Sequence, residues 1–257
     1  MGNRYFTKVR FWNEDGIGII TIDNGNENFL DMDVITQLTT ALMIANNDNN
    51  INWVVITGTG TSFFTAGIPW EAVEPRYATV RDLIGGVKAL YSIIITMDKP
   101  VITVLNGSAL GMGMELALIS DLTIVPPDIY MCYPEGLLGI PMPLGSRIIL
   151  ERLPRYMAIN VLAGMPLSAN DASGSGIVHL VGRENLFGDA KSIIKGLKIS
   201  QYVRRELTKW ARDEIDSVDS TLLNAISSVV LDQKGREELI RAVRSSRIKC
   251  VSKYKGV

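Results

Sequence analysis

Lys99-Pro100-Val101-Ile102-Thr103-Val104-Leu105-Asn106-Gly107-Ser108-Ala109-Leu110-Gly111-Met112-Gly113-Met114-Glu115-Leu116-Ala117-Leu118 is the stretch whose reading decides the fold. Val101 to Leu105 is a short apolar, β-branched run, the pattern of a strand covered on both faces. Asn106-Gly107 punctuates it as a turn. Gly111 and Gly113 carry no Cβ, so the backbone there can approach a ligand closely. Met114 to Ser120 is rich in helix formers. The first N–H groups of such a helix have no internal partner and lie at the positive end of its dipole. An oxygen that gains negative charge can be held there. The same residues also suit a plain glycine-assisted strand-to-helix turn, with Glu115 only complementing the dipole.

Two further segments extend this kit. Pro134-Glu135-Gly136-Leu137-Leu138-Gly139 brings a second carboxylate. Upstream, Trp53-Val54-Val55-Ile56-Thr57-Gly58 reads as another buried strand, followed by Phe63-Phe64-Thr65-Ala66-Gly67-Ile68-Pro69-Trp70. Two strands that each end in a small-residue turn suit a pair of backbone donors aimed at one oxyanion.

In these segments the chain resembles the crotonase (enoyl-CoA hydratase/isomerase) superfamily. Val54 to Gly58 with Phe64 to Ile68 is similar to the family's first oxyanion motif, and Lys99 to Glu115 to its second. Pro134-Glu135 with Leu138-Gly139-Ile140 is similar to the segment of the second glutamate. Leu162-Ala163-Gly164 with Leu167 to Ala172 and Gly176-Ile177-Val178 is similar to the downstream helix–strand region. The resemblance spans roughly residues 5 to 190.

It implies an α/β, crotonase-like spiral of stacked ββα units over 1–190, with a C-terminal helical segment over 191–257 that serves trimerisation and covers the acyl-CoA pocket. It implies oxyanion amides at Ile68 and Met112 and catalytic carboxyls at Glu115 and Glu135. Leu30, Ala66, Gly67, Gly111, Trp70 and Tyr133 are the expected substrate-binding residues. In the implied chemistry the two amides polarise a coenzyme A thioester. A carboxylate orients water for addition to the β-carbon, and a carboxylic acid protonates the α-carbon. Family isomerases usually need one glutamate at the second position, so two here favour hydration. Coenzyme A is expected as part of the substrate, with no permanently bound cofactor and no metal. A homotrimer or dimer of trimers and a place in fatty acid metabolism are also implied.

The sequence departs from the family pattern at several points. Pro69 stands where an aspartate is common, and Met112 interrupts the family's run of three glycines. Ile140-Pro141-Met142-Pro143-Leu144-Gly145-Ser146-Arg147 replaces a glycine-rich loop, and its prolines stiffen it and remove two N–H donors. Asn24 to Asp31 lacks the family's common Asn-Ala-Leu ending.

Composition bounds the remaining classes. With 257 residues, one large domain and a small appended segment is the natural count. Hydrophobic residues make up 47%, enough for a sizeable core. Lys+Arg 26 against Asp+Glu 27 argues against general nucleic-acid binding. The two cysteines, Cys132 and Cys250, are expected to be a small buried residue and an incidental thiol in a reducing compartment. The N-terminus lacks a signal-like apolar core, and no run is long enough to span a bilayer, so a cytoplasmic location is expected.

Along the chain, Tyr5–Trp12 and Ile17–Ile22 read as a hairpin. Asp31 or Asp33 caps a helix running to about Ala45. Strands near 53–57 and 101–105 enclose a helix at roughly 80–97, and strands at 121–125 and 177–181 follow. This alternation implies parallel strands with right-handed crossovers. From about 185 the chain is helical. Arg204, Arg205, Lys209, Arg212, Lys234, Arg236, Arg241, Arg244, Arg247, Lys249, Lys253 and Lys255 read as solvated faces, or a few of them as partners of coenzyme A phosphates. His179, the sole histidine, reads as a core or edge residue. Trp70, Tyr91 and Tyr133 read first as packing, and Trp70 and Tyr133 also as acyl-pocket wall.

Three functions stay open. One is an enoyl-CoA hydratase. Another is a different crotonase-type enzyme: an isomerase, an acyl-CoA thioester hydrolase or a C–C bond hydrolase. The third is a non-catalytic subunit for coenzyme A binding or assembly.

Overall fold

Asn106 ties the architecture together. Its side-chain nitrogen donates to the carbonyls of Thr59, Gly60 and Phe63 at 3.0–3.1 Å, and its Oδ1 accepts from Gly58 N at 2.9 Å. One buried turn residue thereby satisfies four backbone groups of the neighbouring strand-to-strand turn, which burial would otherwise leave unpaired. The glycine beside it is required by space, since a Cβ on Gly107 would lie 2.5 Å from Phe63 N.

This computed structural model describes residues 6–252. The larger sheet has six strands in the order β1 (Val9–Glu14), β2 (Ile17–Ile22), β3 (Trp53–Gly58), β5 (Val101–Val104), β7 (Leu122–Val125) and β10 (His179–Leu180). The smaller has four, β4 (Phe63–Thr65), β6 (Ser108–Leu110), β8 (Tyr130–Cys132) and β9 (Leu167–Ser168). The hairpin β1–β2 and the pair β8–β9 are antiparallel. The central pairings of both sheets are parallel, with Val54 opposite Val101 and Ala109 opposite Met131. Tyr5, expected to start β1, lies outside the described residues, as do Lys253 and Lys255.

The sheets are linked by a repeating unit. β3 passes to β4 and then to helix α2 (Tyr77–Thr96); β5 passes to β6 and then to helix α3 (Met112–Ile119). β7 passes to β8, a 3-10 turn at Pro134–Leu138 and helix α4 (Gly145–Arg152). Each unit places its first strand in the large sheet and its second in the small one, which is the ββα spiral that the resemblance implied. Helix α1 (Met32–Asn47) follows the hairpin. Its cap is Asp31, whose Oδ1 accepts from Val34 N at 3.0 Å.

The burial pattern explains these elements. β2, β5 and most of β3 are buried on both faces, as parallel strands require. α2 turns inward a stripe of Val80, Leu83, Ile84, Val87, Tyr91 and Ile94 at spacings of three and four. Every residue of α3 is buried, Glu115 included. The remaining helices are α5 (Arg155–Leu162), α6 (Ala169–Gly174), α7 (Leu186–Gly196), α8 (Gln201–Leu207), α9 (Lys209–Glu214), α10 (Val218–Val230) and α11 (Gln233–Ser252). No helix among the described residues is long and apolar enough to cross a membrane.

Two expectations about the C-terminal half need correction. Cys132 and Cys250 are joined as a disulfide. They are 118 residues apart in sequence, but α11 returns against β8, and chain distance carries no hint of that return. Arg204 is not on a solvated face. It is 1% exposed, and its Nε meets Asp121 Oδ2 at 2.7 Å while its guanidinium caps the carbonyls that end α2. Arg247 is likewise mostly buried, paired with Glu27 and Glu71 and stacked 5.1 Å over the Phe29 ring.

Candidate active site

The three repeats of the spiral each end at the same place. The small-sheet strands β4, β6 and β8 run parallel, and each is followed at once by a site segment. After β4 come Ala66, Gly67 and Ile68; after β6, Gly111 and Met112; after β8, Tyr133 and Glu135. The carboxyl end of a parallel sheet gathers such turns because every strand enters its helix on that side.

Gly67 and Gly111 have positive φ values of 78° and 53°. A Cβ on Gly67 would lie 2.7 Å from Leu110 O, and one on Gly111 would lie 2.5 Å from Glu135 Oε1. Glycine is therefore demanded at both points by backbone conformation and by space. The amides that follow, Ile68 N–H and Met112 N–H, have no hydrogen-bond partner among the described residues. Met112 opens α3, so its amide belongs to the unpaired first turn.

The carboxyls sit beside these amides, Glu115 being 1% and Glu135 3% exposed. Glu115 Oε1 accepts from Leu144 N at 2.7 Å and Gly145 N at 3.0 Å, the amides that begin α4. Burial pushes its pKa up to about 8, the two amides oppose that rise, and the nearby Glu135 adds to it. Glu135 Oε1 accepts from Trp70 Nε1 at 3.0 Å, and Oε2 is enclosed without a partner. Burial raises its pKa as well, against the Trp70 bond.

Ile68, Trp70, Met112, Glu115, Tyr133 and Glu135 meet in one cavity of about 40 Å³. Leu30 lines an adjoining cavity of about 130 Å³; Ile68 and Leu83 belong to both walls. Ala66, Gly67 and Gly111, also expected to bind substrate, do not line this cavity. His179 lies exposed on the edge strand β10, away from this cavity.

Sequence reasoning missed Leu144 and Gly145, the amides on Glu115. The C-terminal segment was expected to cover the pocket, but Leu222 and Ile226 of α10, which line this cavity, were not singled out, and Tyr91 was read as packing only. The proline-containing loop was expected to lose donors. Pro141 and Pro143 do lack N–H groups, yet the residues that follow them deliver two amides to Glu115, and the Pro141 carbonyl accepts from Tyr133 Oη at 2.7 Å.

A family model described as enoyl-CoA hydratase/isomerase matches residues 13–239. The chain belongs to the enoyl-CoA hydratase/isomerase family. A carnitinyl-CoA dehydratase of Salmonella enteritidis PT4 is 31% identical over 181 residues, which is 69% of each chain. An enoyl-CoA hydratase/isomerase from Mycobacterium paratuberculosis has the same fold, with a TM-score of 0.79 and 19% identity over 93% of this chain and 100% of its own. One from Xanthobacter autotrophicus Py2 gives a TM-score of 0.78 and 20% identity over 94% and 97%. The protein is thus a crotonase-superfamily enzyme, and its two glutamates, glycine turns and free amides occur within the matched region.

Proposed function

We propose that this crotonase-family protein is an enoyl-CoA hydratase that adds water across the 2,3 double bond of a 2-enoyl-CoA thioester. The observation that carries the reading is the pairing of two buried carboxyls with two unengaged amides around one small apolar cavity.

The chemistry follows from those groups. The thioester oxygen lies between the amides of Ile68 and Met112, which stabilise the enolate as it forms. Each such donor contributes about 3 kcal/mol in a dry, preorganised site. Water gives its oxygen to the β-carbon and one proton to a carboxylate of the pair, while the other carboxyl gives a proton to the α-carbon. That couple needs one charged and one neutral member. Burial raises both pKa values, so the pair holds on to a proton near neutrality. Coenzyme A enters as part of the substrate, with no permanently bound cofactor.

Dehydration of a 3-hydroxyacyl-CoA is the same reaction reversed and uses the same groups. The similarity to a protein named carnitinyl-CoA dehydratase supports this direction. The test is an assay with crotonyl-CoA, following loss of the conjugated thioester absorbance. Formation of 3-hydroxybutyryl-CoA, abolished in both Glu115→Gln and Glu135→Gln, supports the reading. Turnover that survives Glu115→Gln but not Glu135→Gln points to an isomerase instead.

A further inference from the structure

Tyr91 lies on the inward stripe of α2 and lines the cavity of the two glutamates, 2% exposed. Its hydroxyl makes no hydrogen bond to any described residue. It is also not among the partnerless side-chain atoms fully walled in by protein, and the side chain lines the cavity. Most other polar atoms there are committed. The Tyr133 hydroxyl is bound by the Pro141 carbonyl, the Trp70 N–H by Glu135, and Glu115 Oε1 by two amides. A phenylalanine would complete the apolar wall equally well without presenting a hydroxyl to the cavity. The oxygen on this ring therefore requires an explanation beyond packing.

We propose that the Tyr91 hydroxyl hydrogen-bonds the oxygen at the β-carbon of the acyl chain, making Tyr91 a third polar contact to substrate beside Glu115 and Glu135. The inference rests on the hydratase reading. Hydration adds one polar atom to a cavity whose wall is mostly apolar, and the phenol of Tyr91, which has no protein partner, supplies a hydrogen bond to it. A phenol can donate or accept. Tyr91 acts as a donor because burial, followed by the charge of Glu115, pushes its ionisation well above the ordinary tyrosine range. The bond favours a β-hydroxyl on the face of the chain that meets α2, so it bears on stereochemistry as well as rate.

The test pairs binding with turnover in wild type and Tyr91→Phe, a change that removes the oxygen and keeps the ring. Calorimetry compares each enantiomer of 3-hydroxybutyryl-CoA, corrected for the fraction dehydrated to crotonyl-CoA, with butyryl-CoA, which differs only in lacking the β-oxygen. The expected wild-type preference for one hydroxylated enantiomer is about tenfold, falling to about twofold or less in Tyr91→Phe. The kcat for crotonyl-CoA, which carries no β-oxygen before reaction, falls about tenfold or more with KM little changed. A structural role would instead lower stability and affect both ligands alike. Wild-type protein that binds the two ligands equally overturns the proposal without any variant, as does a preference that survives Tyr91→Phe. Absence of crotonyl-CoA turnover in wild type counts against the hydratase reading, and the binding comparison still decides Tyr91. Binding of neither thioester overturns both.

Discussion

The indole Nε1 of Trp70 donates to Oε1 of Glu135 at 3.0 Å, joining the turn after β4 to the turn after β8. This is the only side-chain donor to Glu135 among the described residues, and its other oxygen is enclosed without a partner. The bond lowers the pKa of a carboxyl that burial raises. Trp70→Phe removes the donor and keeps an aromatic wall. The Glu135 limb of the pH–rate profile is expected to move to higher pH, with kcat at neutrality down about tenfold. Stability should fall by about 1–3 kcal/mol, the usual penalty for unpairing a buried polar atom. An unmoved pH profile in Trp70→Phe would show that the bond does not tune Glu135.

Glycines test the site's geometry because their demands differ so sharply. A Cβ on Gly111 would lie 2.5 Å from Glu135 Oε1, and its φ is 53°. Gly111→Ala should displace Glu135, reduce kcat/KM about a hundredfold or more, and destabilise by about 1–3 kcal/mol. Gly85, inside α2, has nothing within 4 Å of a Cβ. Gly85→Ala should leave kcat/KM unchanged and stabilise by about 0.5–1 kcal/mol, because alanine restricts the unfolded chain and suits a helix. Crotonyl-CoA kinetics and urea denaturation of the two variants side by side check both statements.

The parts of the site that could be read from sequence are those built from contiguous residues. A strand, a glycine turn and a helix start can be recognised in Val101–Glu115 because each signal is local, and the same holds for Val54–Ile68. The donors to Glu115 could not be read this way. Leu144 and Gly145 reach it across 29 and 30 residues, through a 3-10 turn and a loop whose path depends on packing. Arg204 shows the same limit in the other direction. Among many exposed basic residues, nothing local marks the one whose partner, Asp121, is 83 positions away. Tyr91 falls within the helix expected at roughly 80–97 and reads as packing, because no local signal tells a hydroxyl with a partner from one without.

Glu115 makes stability depend on pH in a direction opposite to most carboxylates. Its folded pKa, about 8, lies above the ordinary value of 4.5. Between those values the folded state binds more protons than the unfolded chain, so stability falls as pH rises. The contribution is full below pH 4.5 and is lost as pH climbs through about 8, a change of about 5 kcal/mol for a shift of this size. Glu135, raised by the same burial, adds to the slope. Glu115→Gln mimics the protonated acid and retains an oxygen for the Leu144 and Gly145 amides. The variant should show a flatter decline in Tm between pH 5 and 8 and exceed wild type at pH 8. Parallel pH profiles for the two proteins would mean that Glu115 is not held neutral.

Arg204 carries the last prediction because it anchors the C-terminal helices to the helix that bears Tyr91. Its guanidinium meets Asp121 Oδ2 at 2.7 Å and the carbonyls of Ile94, Ile95 and Met97 at the end of α2. Asp121 in turn accepts from Val101 N at 2.7 Å, so a single carboxylate joins β5 to α8. With both side chains almost fully enclosed, removal of one partner leaves a charge without compensation. Arg204→Met is expected to cost about 3–5 kcal/mol in urea denaturation. Arg204→Lys should not restore it, because an ammonium lacks the planar fork needed to bind a carboxylate and several carbonyls together. The double change Arg204→Met with Asp121→Asn should be less damaging than the two single effects added, since neither charge is then stranded. Additive losses in that cycle would mean that the two residues act separately and that the ion pair is not what holds α8 against the sheet.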